Sequence, residues 1–203
     1  MLQAAAYWTV LGFLAGAMPF SLWLGRWLLR DDIRLYGNGN PGAVNAWRAG
    51  GWRIGVLAIL LDSLKGALPA GLAQLWSGLS DWYLLPVALA PVLGHAFSPF
   101  LGFHGGKAVA VTFGIWCGLT AWEGPTVLGC LFGFFLLIQT VDAWAVTLGM
   151  SCFALYLLLR QFGAPVLMIC AGNLLVVAWK HRRDLGHAPE LRGWLRRCLA
   201  RRR

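Results

Sequence analysis

The sequence predicts an all-α, polytopic integral membrane protein, and three observations support this prediction. Hydrophobic residues make up 59% of the 203 residues and charged residues only 12%, which is about half the charged share of a soluble protein. So few charges cannot cover a water-facing surface. The apolar residues also form runs that are each roughly long enough to cross a bilayer as a helix. The formal net charge of +9 on so apolar a chain indicates contact with anionic membrane lipid or phosphate, and no binding of nucleic acid.

Charges, glycines and prolines divide the chain into about seven apolar segments. The predicted segments are residues 4–29, 54–76, 83–99, 109–122, 125–139, 144–159 and 164–179. The fourth and fifth are short for a membrane crossing, so we expect them to be tilted, half-buried or in a thinned bilayer. The first segment lacks the basic start and the cleavage site of a signal peptide, so we expect it to be retained as a helix. We expect residues 1–203 to form a single transmembrane domain that ends in a basic cytoplasmic tail over residues 180–203.

The positions of Lys and Arg predict the orientation of the chain. Fifteen of the 17 basic residues lie in the loop 26–53, at Lys107 or in the tail 180–203. Seven crossings place these three regions on one side, and the positive-inside rule makes that side the cytoplasm, with the N-terminus outside. Within the tail, residues 192–203 combine arginines with apolar residues at helical spacing. This pattern favours either an amphipathic helix on an anionic leaflet or a charged end that only fixes topology.

The five cysteines are widely spaced, with no close pair and no cysteine–histidine cluster. Four of them lie in apolar runs, where cysteine behaves as a small hydrophobic residue. We therefore expect neither a disulfide framework nor a metal site.

The loop 37–48 has the composition of an anion site. Three glycines within six residues allow positive φ and let backbone N–H groups converge on an anion. Asparagines add neutral donors, and Arg48 adds a planar fork that suits a phosphate. The candidate ligands in this loop are Asn38, Gly39, Asn40, Gly42, Asn45 and Arg48. By composition alone, an ordinary glycine/asparagine turn between two spans is equally favoured.

A second polar stretch covers residues 94–107. Gly105, Gly106 and Lys107 directly precede an apolar run, which predicts an anion nest with a cation at its edge. The stretch is not a Walker A loop, because the upstream glycine spacing and the following Ser or Thr are absent. His95 in this stretch either titrates near neutral pH or donates a hydrogen bond to a backbone carbonyl.

Two further charged groups lie at or inside the predicted spans. Asp62 and Lys65 are three residues apart and so share a helical face, where they form either a local ion pair or, through Lys65, part of an anion site. Residues 180–184 form a basic cluster where the last span ends, which is typical of a cytoplasmic helix end.

These residues together resemble the PlsY family of membrane acyltransferases. The motifs that carry the resemblance are residues 18–20, 32–34, 37–48, 62–66, 94–95, 105–107 and 180–181. Where the family's first loop has serine and threonine, this chain has Asn38 and Val44. Where its second loop has lysine, glycine and threonine, this chain has His104, Ala108 and Val111, and Asp184 replaces an asparagine. The family's serine-rich third motif falls near residues 139–147, where this chain has no serine cluster.

The resemblance implies seven transmembrane helices, an outside N-terminus and a site at the cytoplasmic interface of the bacterial inner membrane. It also implies transfer of an acyl chain from acyl phosphate to glycerol 3-phosphate, giving lysophosphatidic acid and phosphate in phospholipid biosynthesis. We expect a monomer that uses no cofactor and no metal. The implied catalytic residues are Arg48, Lys107, Asn45 and His181. The implied substrate-binding residues are Asn38, Gly39, Asn40, Gly42, Lys65, His95, Gly105, Gly106 and Asp184.

Two other functions stay open from the sequence. One is a diverged relative that uses another acceptor or has lost catalysis. The other is a transporter for an anion or phosphate compound, although the charged groups cluster on one side of the membrane, which argues against a transport path.

Overall fold

The computed structural model describes residues 1–200, with the side chains of residues 199 and 200 excepted. The described chain is helical and contains no β-strand, only an isolated bridge between Gln139 and Leu191. It divides into two compact units, Met1–Pro125 and Thr126–Arg203. Residues 201–203 of the predicted basic tail lie outside the described part.

The helices follow the predicted apolar segments in order. They are α1 Leu2–Ala17, α2 Phe20–Leu24, α3 Ala43–Ser77, α4 Leu84–Ala96, α5 Val109–Thr120, α6 Glu123–Ile138, α7 Asp142–Leu159, α8 Ala164–Leu185 and α9 Gly193–Ala200. A π-helical turn, Gly25–Leu29, continues α2, and single 3-10 turns occur at Ile33–Leu35, Asp81–Tyr83 and Pro99–Leu101.

All seven predicted segments are helical, but they differ in length. Within residues 1–200, five helical stretches are long and apolar enough to cross a membrane: Leu2–Leu29, Ala43–Ser77, Asp81–Leu101, Asp142–Leu159 and Ala164–Leu185. Val109–Thr120 and Glu123–Ile138 are shorter apolar helices. The 12 residues of α5 rise only about 18 Å, against about 30 Å of hydrocarbon. The number of crossings and the orientation of the termini stay predictions.

The first span is broken at Met18 and Pro19. The prediction of one continuous segment over residues 4–29 did not include this break. α1 ends at Ala17, Met18 is extended and α2 starts after Pro19. Pro19 has no N–H to continue the ladder of helical hydrogen bonds. The break therefore leaves backbone carbonyls of α1 to be bonded by side chains.

The second span starts at Ala43, eleven residues before the predicted position 54. The prediction placed Arg48 and Arg53 in a loop because of their charge, whereas the structure places both in α3. The helix has a kink at Gly51, whose φ of 74° and ψ of −172° suit only glycine. Similarly, α8 continues past Trp179 to Leu185, so the first residues of the predicted tail are helical.

Helices of the first unit approach one another closely at glycines. A Cβ built on Gly16 would collide with the Pro91 backbone of α4, and one built on Gly114 would collide with the Ser63 carbonyl of α3. Small residues at such crossings let membrane helices pack backbone to backbone. This packing fixes α1 against α4 and α3 against α5, which together carry the loops described below.

In the second unit the C-terminal segment is bonded to the junction of α6 and α7. The Gln139 side-chain oxygen accepts hydrogen bonds from the backbone N–H groups of Thr140 and Glu190 at 2.9 and 2.8 Å. The Trp194 indole donates to the Leu137 carbonyl at 3.0 Å. The predicted helix in the tail is present as α9 over Gly193–Ala200.

Candidate functional site

The glycine/asparagine loop, residues 37–45, is held by its own amide side chains. Asn45 is buried at the start of α3, and its Nδ2 donates to Asn38 Oδ1 at 3.2 Å and to the Asn40 carbonyl at 2.9 Å. Asn38 Oδ1 also accepts from the Asn40 N–H at 3.2 Å. Gly37 and Gly39 have φ values of 58° and 73°, which reverse the chain direction at little cost only in glycine. The loop is thus closed on itself and exposed at its tip.

Arg48 lies against this loop from the second turn of α3. A Cβ built on Gly37 would collide with its guanidinium and approach Asn45 Oδ1 to 2.5 Å. Within residues 1–200, no hydrogen bond or ion pair is formed by the exposed Arg48 side chain. Asn45 Oδ1 beside it is buried and has no hydrogen-bond partner among the described residues. An anion that reaches Gly37 therefore meets a guanidinium whose donors are not used internally.

The second loop is packed against backbone. Gly105 and Gly106 are buried, and the Gly106 N–H donates to the His95 carbonyl at 3.1 Å. A Cβ on Gly105 would collide with that carbonyl, and a Cβ on Gly106 would collide with the His95 ring. Lys107 follows, half-buried, and α5 begins two residues later at Val109. Lys107 thus lies at the positive end of a helix dipole, a position that favours anions.

Lys65 and Asp62 form a buried ion pair on α3. Lys65 Nζ lies 2.8 Å from Asp62 Oδ1 and donates to the Met18 carbonyl at 2.9 Å. The Ser21 hydroxyl donates to Asp62 Oδ2 at 2.5 Å. Of the two roles left open by the sequence, the local ion pair is confirmed. The prediction that Lys65 binds substrate stays a prediction.

A small cavity lies between this ion pair and the two loops. Its volume is about 10 Å³, which is room for roughly one water molecule. Its walls include Lys65, His95, Pro41 of the first loop and Gly106 of the second. The structure therefore brings His95, Gly106 and Lys65, three predicted site residues, to one place in the first unit.

Ser98 and Ser21 are the polar residues at this place that the sequence did not indicate as functional. Both are 1% exposed, and the Ser98 hydroxyl donates to the Ala17 carbonyl at 2.5 Å. The sequence does contain a signal that could have indicated them. Each serine lies within two residues of a proline in an apolar run, and a serine beside a helix break can bond a freed backbone carbonyl.

An ion pair precedes the glycine/asparagine loop. Asp32 accepts hydrogen bonds from the backbone N–H and the guanidinium of Arg34, with a closest contact of 2.6 Å. These hydrogen bonds, and then the positive charges of Arg34 and Arg26, lower the pKa of Asp32 from 3.8 to about 2. The Tyr36 hydroxyl donates to Asp31 at 2.6 Å, and this bond raises the Tyr36 pKa. The chain is thus fixed by side chains before it reaches Gly37.

His181 and Asp184 belong to the second unit, on the last turns of α8. His181 is 3% exposed, and its Nδ1 donates to the Val177 carbonyl at 2.8 Å. Asp184 is half-buried. Their participation in one site with Arg48 and Lys107 stays a prediction. In residues 1–200 no three His, Cys, Asp or Glu side chains are grouped as metal ligands would be.

The model of the protein family described as Glycerol-3-phosphate acyltransferase matches residues 6–188 of the chain. The chain belongs to the glycerol-3-phosphate acyltransferase family. The match covers both loops and the end of α8, so every predicted site residue lies inside it. The resemblance stated from the motifs is therefore confirmed.

Curated relatives match most of the chain. "Glycerol-3-phosphate acyltransferase 1" of Thermotoga maritima is 40% identical over 188 residues, covering 85% of this chain and 92% of the relative. A "Glycerol-3-phosphate acyltransferase" of Thermus thermophilus is 38% identical over 195 residues, covering 93% of this chain and 94% of the relative. Each alignment therefore covers most of both proteins.

Solved structures match the fold over nearly the whole chain. The crystal structure of PlsY (YgiH), an integral membrane glycerol 3-phosphate acyltransferase in its glycerol 3-phosphate form, superimposes with a TM-score of 0.83 at 29% identity. That match covers 95% of this chain and 97% of the other. The lysophosphatidic acid form of the same protein gives a TM-score of 0.81. The predicted fold class, an all-α polytopic integral membrane protein, is confirmed.

Proposed function

We propose that the chain transfers an acyl group from acyl phosphate to glycerol 3-phosphate, giving lysophosphatidic acid and inorganic phosphate for phospholipid biosynthesis. The observation that carries the proposal is the pair of anion-binding elements in the first unit. One is Arg48 against the left-handed glycine Gly37, and the other is Lys107 at the start of α5. A reaction between two phosphorylated substrates needs two such elements. We place the reaction at the cytoplasmic face of the bacterial inner membrane, where positive charge is predicted to concentrate.

In this proposal Arg48 and Lys107 bind the phosphate groups and stabilise negative charge that develops on the oxygens of the mixed anhydride. Asn40, Asn45 and the Gly105–Gly106 backbone orient the substrates, and His181 contacts the acceptor phosphate. Asp184 adds a negative charge at that point, which would repel the phosphate unless Arg182 or Arg183 offsets it. These roles follow from residue chemistry and from the resemblance to the family.

The chemical step requires positioning more than activation. A glycerol hydroxyl oxygen attacks the acyl carbon, a carbon–oxygen bond forms, and the bond from that carbon to the phosphate oxygen breaks. The hydroxyl proton passes to a phosphate oxygen of a substrate, and the leaving group is inorganic phosphate. Because acyl phosphate is already activated, correct placement of the two substrates supplies most of the catalysis without a protein nucleophile or a metal.

The acyl chain needs an apolar surface beside the site, and the first unit offers one. A groove of about 540 Å³ runs between α1 and α4. Its lining is almost wholly apolar: Thr9, Val10, Phe13, Leu14, Leu85, Pro86, Leu89, Ala90 and Leu93. We propose that the acyl chain occupies this groove, with its remaining surface in contact with lipid.

The test is an assay of the purified protein in detergent with acyl phosphate and glycerol 3-phosphate. We expect release of inorganic phosphate and formation of lysophosphatidic acid in equal amounts. Arg48→Ala and Lys107→Ala should each reduce the rate at least about 100-fold, since each removes a charged donor from the developing oxyanion. Arg53→Ala, which removes a charge from the same helix as Arg48, should stay within about twofold of the unmodified protein.

Absence of both products would contradict the proposed reaction. Full activity of Arg48→Ala and Lys107→Ala would contradict the proposed site while leaving the reaction in place. If phosphate is released only with a phosphorylated acceptor other than glycerol 3-phosphate, the chain is a diverged relative with another acceptor. The differences from the family at Asn38 and Val44 leave this alternative open.

A further inference from the structure

The break in the first span is held by two side chains, one from α3 and one from the segment just after α4. At Met18 and Pro19 the helical hydrogen bonds stop, and the freed carbonyls would be unpaired inside a membrane protein, where each unpaired polar group is costly. Lys65 of α3 donates to the Met18 carbonyl at 2.9 Å, and Ser98, just after α4, donates to the Ala17 carbonyl at 2.5 Å. The broken helix is thus bonded at one point to α3 and to the segment that follows α4.

This point adjoins both anion-binding loops. Pro41 and Gly106 line the same small cavity as Lys65, and Gly106 is the residue before Lys107. Ser98 also shapes the second loop, since its carbonyl accepts the Phe103 N–H at 2.8 Å. On α3, Ser63 donates to the Ala110 carbonyl at the start of α5 at 3.1 Å. A shift of the break would therefore reach Pro41 on one side and Gly106 on the other.

Size and exposure argue against direct binding of a phosphate by Lys65. The side chain is 2% exposed, and its ammonium is held between Asp62 Oδ1 at 2.8 Å and the Met18 carbonyl, to which it donates at 2.9 Å. The adjoining cavity of about 10 Å³ holds about one water molecule, which is far too small for a phosphate group. The positive charge of Lys65 is also offset by Asp62 at 2.8 Å. Lys65 therefore contributes little net charge to an anion outside the cavity.

We infer that Lys65 is a positioning residue that, together with Asp62, Ser21 and Ser98, fixes the helix break and through it the distance between the two anion-binding loops. The inference rests on the proposed function for its effect on catalysis, but its effect on the loops is independent of the reaction. A group that sets the separation of two substrates acts mainly on kcat, because each loop still carries the groups that bind its own substrate. A direct phosphate ligand would act mainly on the KM of one substrate.

Three variants and one control separate these roles. Lys65→Met removes the ammonium and leaves the Asp62 carboxylate buried without its partner. The double variant Asp62→Asn, Lys65→Met removes both charges, which buried ion pairs often tolerate. Ser98→Ala cuts the second bond to the break and leaves the ion pair intact. Arg53→Met is the control, because it makes the same charge change as Lys65→Met at an exposed position of α3.

The kinetic measurement is kcat and the KM for glycerol 3-phosphate and for acyl phosphate. We expect Lys65→Met and Ser98→Ala to lower kcat at least about tenfold with each KM changed less than about threefold. The double variant leaves no unpaired buried charge but still lacks the bond to the Met18 carbonyl, so its kcat should stay lowered, and Arg53→Met should match the unmodified protein. A tenfold rise in one KM with kcat retained, or unmodified kinetics in Lys65→Met, would overturn the inference.

Hydrogen–deuterium exchange of the same proteins tests the loops without using the reaction. We expect faster exchange in residues 37–48 and 94–108 for Lys65→Met, and in residues 94–108 for Ser98→Ala, with no change for Arg53→Met. If Lys65→Met fails to fold, Ser98→Ala and the double variant still decide the outcome. Unchanged exchange in both loops in an active protein would refute the positioning role, whereas an inactive unmodified protein would refute only the proposed function.

Discussion

The two loops of the first unit that we propose to bind anions are built in opposite ways. The loop 37–45 is exposed and takes its shape from its own residues, through the Asn45 and Asn38 amides and two glycines with positive φ. The Gly105–Gly106 loop is buried and takes its shape from the backbone of α4, through the His95 carbonyl. The comparison teaches that a cradle for an anion can be fixed either by local side-chain bonds or by tight packing, and that the two should fail differently when altered.

The largest expected effect is the insertion of a methyl group into the packed loop. Gly105→Ala places a Cβ in collision with the His95 carbonyl, and a backbone atom cannot move aside as a side-chain end can. We expect a loss of about 3 kcal/mol or more in the free energy of unfolding and loss of acyl transfer. The measurements are the apparent Tm in detergent and the rate of phosphate release.

The matched change in the exposed loop is Gly39→Ala. Its Cβ would have no neighbour nearer than the Arg34 carbonyl at 3.7 Å, so only the positive φ of 73° is strained. We expect the free energy of unfolding to fall by about 1–2 kcal/mol and the Tm to fall by roughly 2–8 °C. Acyl transfer should be retained in part. Equal losses from the two substitutions would contradict the difference proposed between the loops.

A smaller effect, of opposite sign, is expected at the end of the packed loop. Ala108 has a φ of 62°, a left-handed conformation that costs a residue with a Cβ about 1 kcal/mol. Ala108→Gly removes this strain but increases the entropy of the unfolded chain. We therefore expect the free energy of unfolding to rise by between zero and about 1 kcal/mol. Ala110→Gly, inside α5, is the control and should cost about 1 kcal/mol. A Tm that falls in both variants would argue against strain at Ala108.

The smallest effect is expected at the ion pair before the exposed loop. Asp32 is partly exposed and paired with Arg34, so Asp32→Asn should cost at most about 1 kcal/mol at neutral pH. The folded-state pKa of Asp32 is lowered from 3.8 to about 2. The contribution of this pair to the free energy of unfolding is therefore present above about pH 4 and is lost as the pH falls towards 2.

The check is the difference in Tm between the unmodified protein and Asp32→Asn at several pH values. It should be the same at pH 7 and pH 5 and smaller at pH 3. A difference that grows as the pH falls would contradict the lowered pKa. Acyl transfer between pH 6 and pH 8 should not depend on this pair.

Residue type and order predict the candidate site residues, and the structure confirms one contact among them. Glycines, asparagines and Arg48 in one stretch indicate an anion cradle, and the spacing of Asp62 and Lys65 on one helical face indicates their pairing, which the structure confirms at 2.8 Å. The start of α3 could not be predicted from composition, since Arg48 and Arg53 have the charge of a loop. Helical residues can carry charge when their side chains reach water, and the structure places both arginines at exposed positions of α3.

The sequence by itself determined the helical membrane fold, the order of the seven apolar segments and the chemistry of the two loops. These depend on composition and spacing, which are local properties of the chain. Only the tertiary structure decided that Pro19 breaks the first span, that Lys65 and Ser98 bond the freed carbonyls, and that Pro41 and Gly106 adjoin them. The reason is physical: which buried donor satisfies which carbonyl depends on how helices far apart in sequence pack against each other.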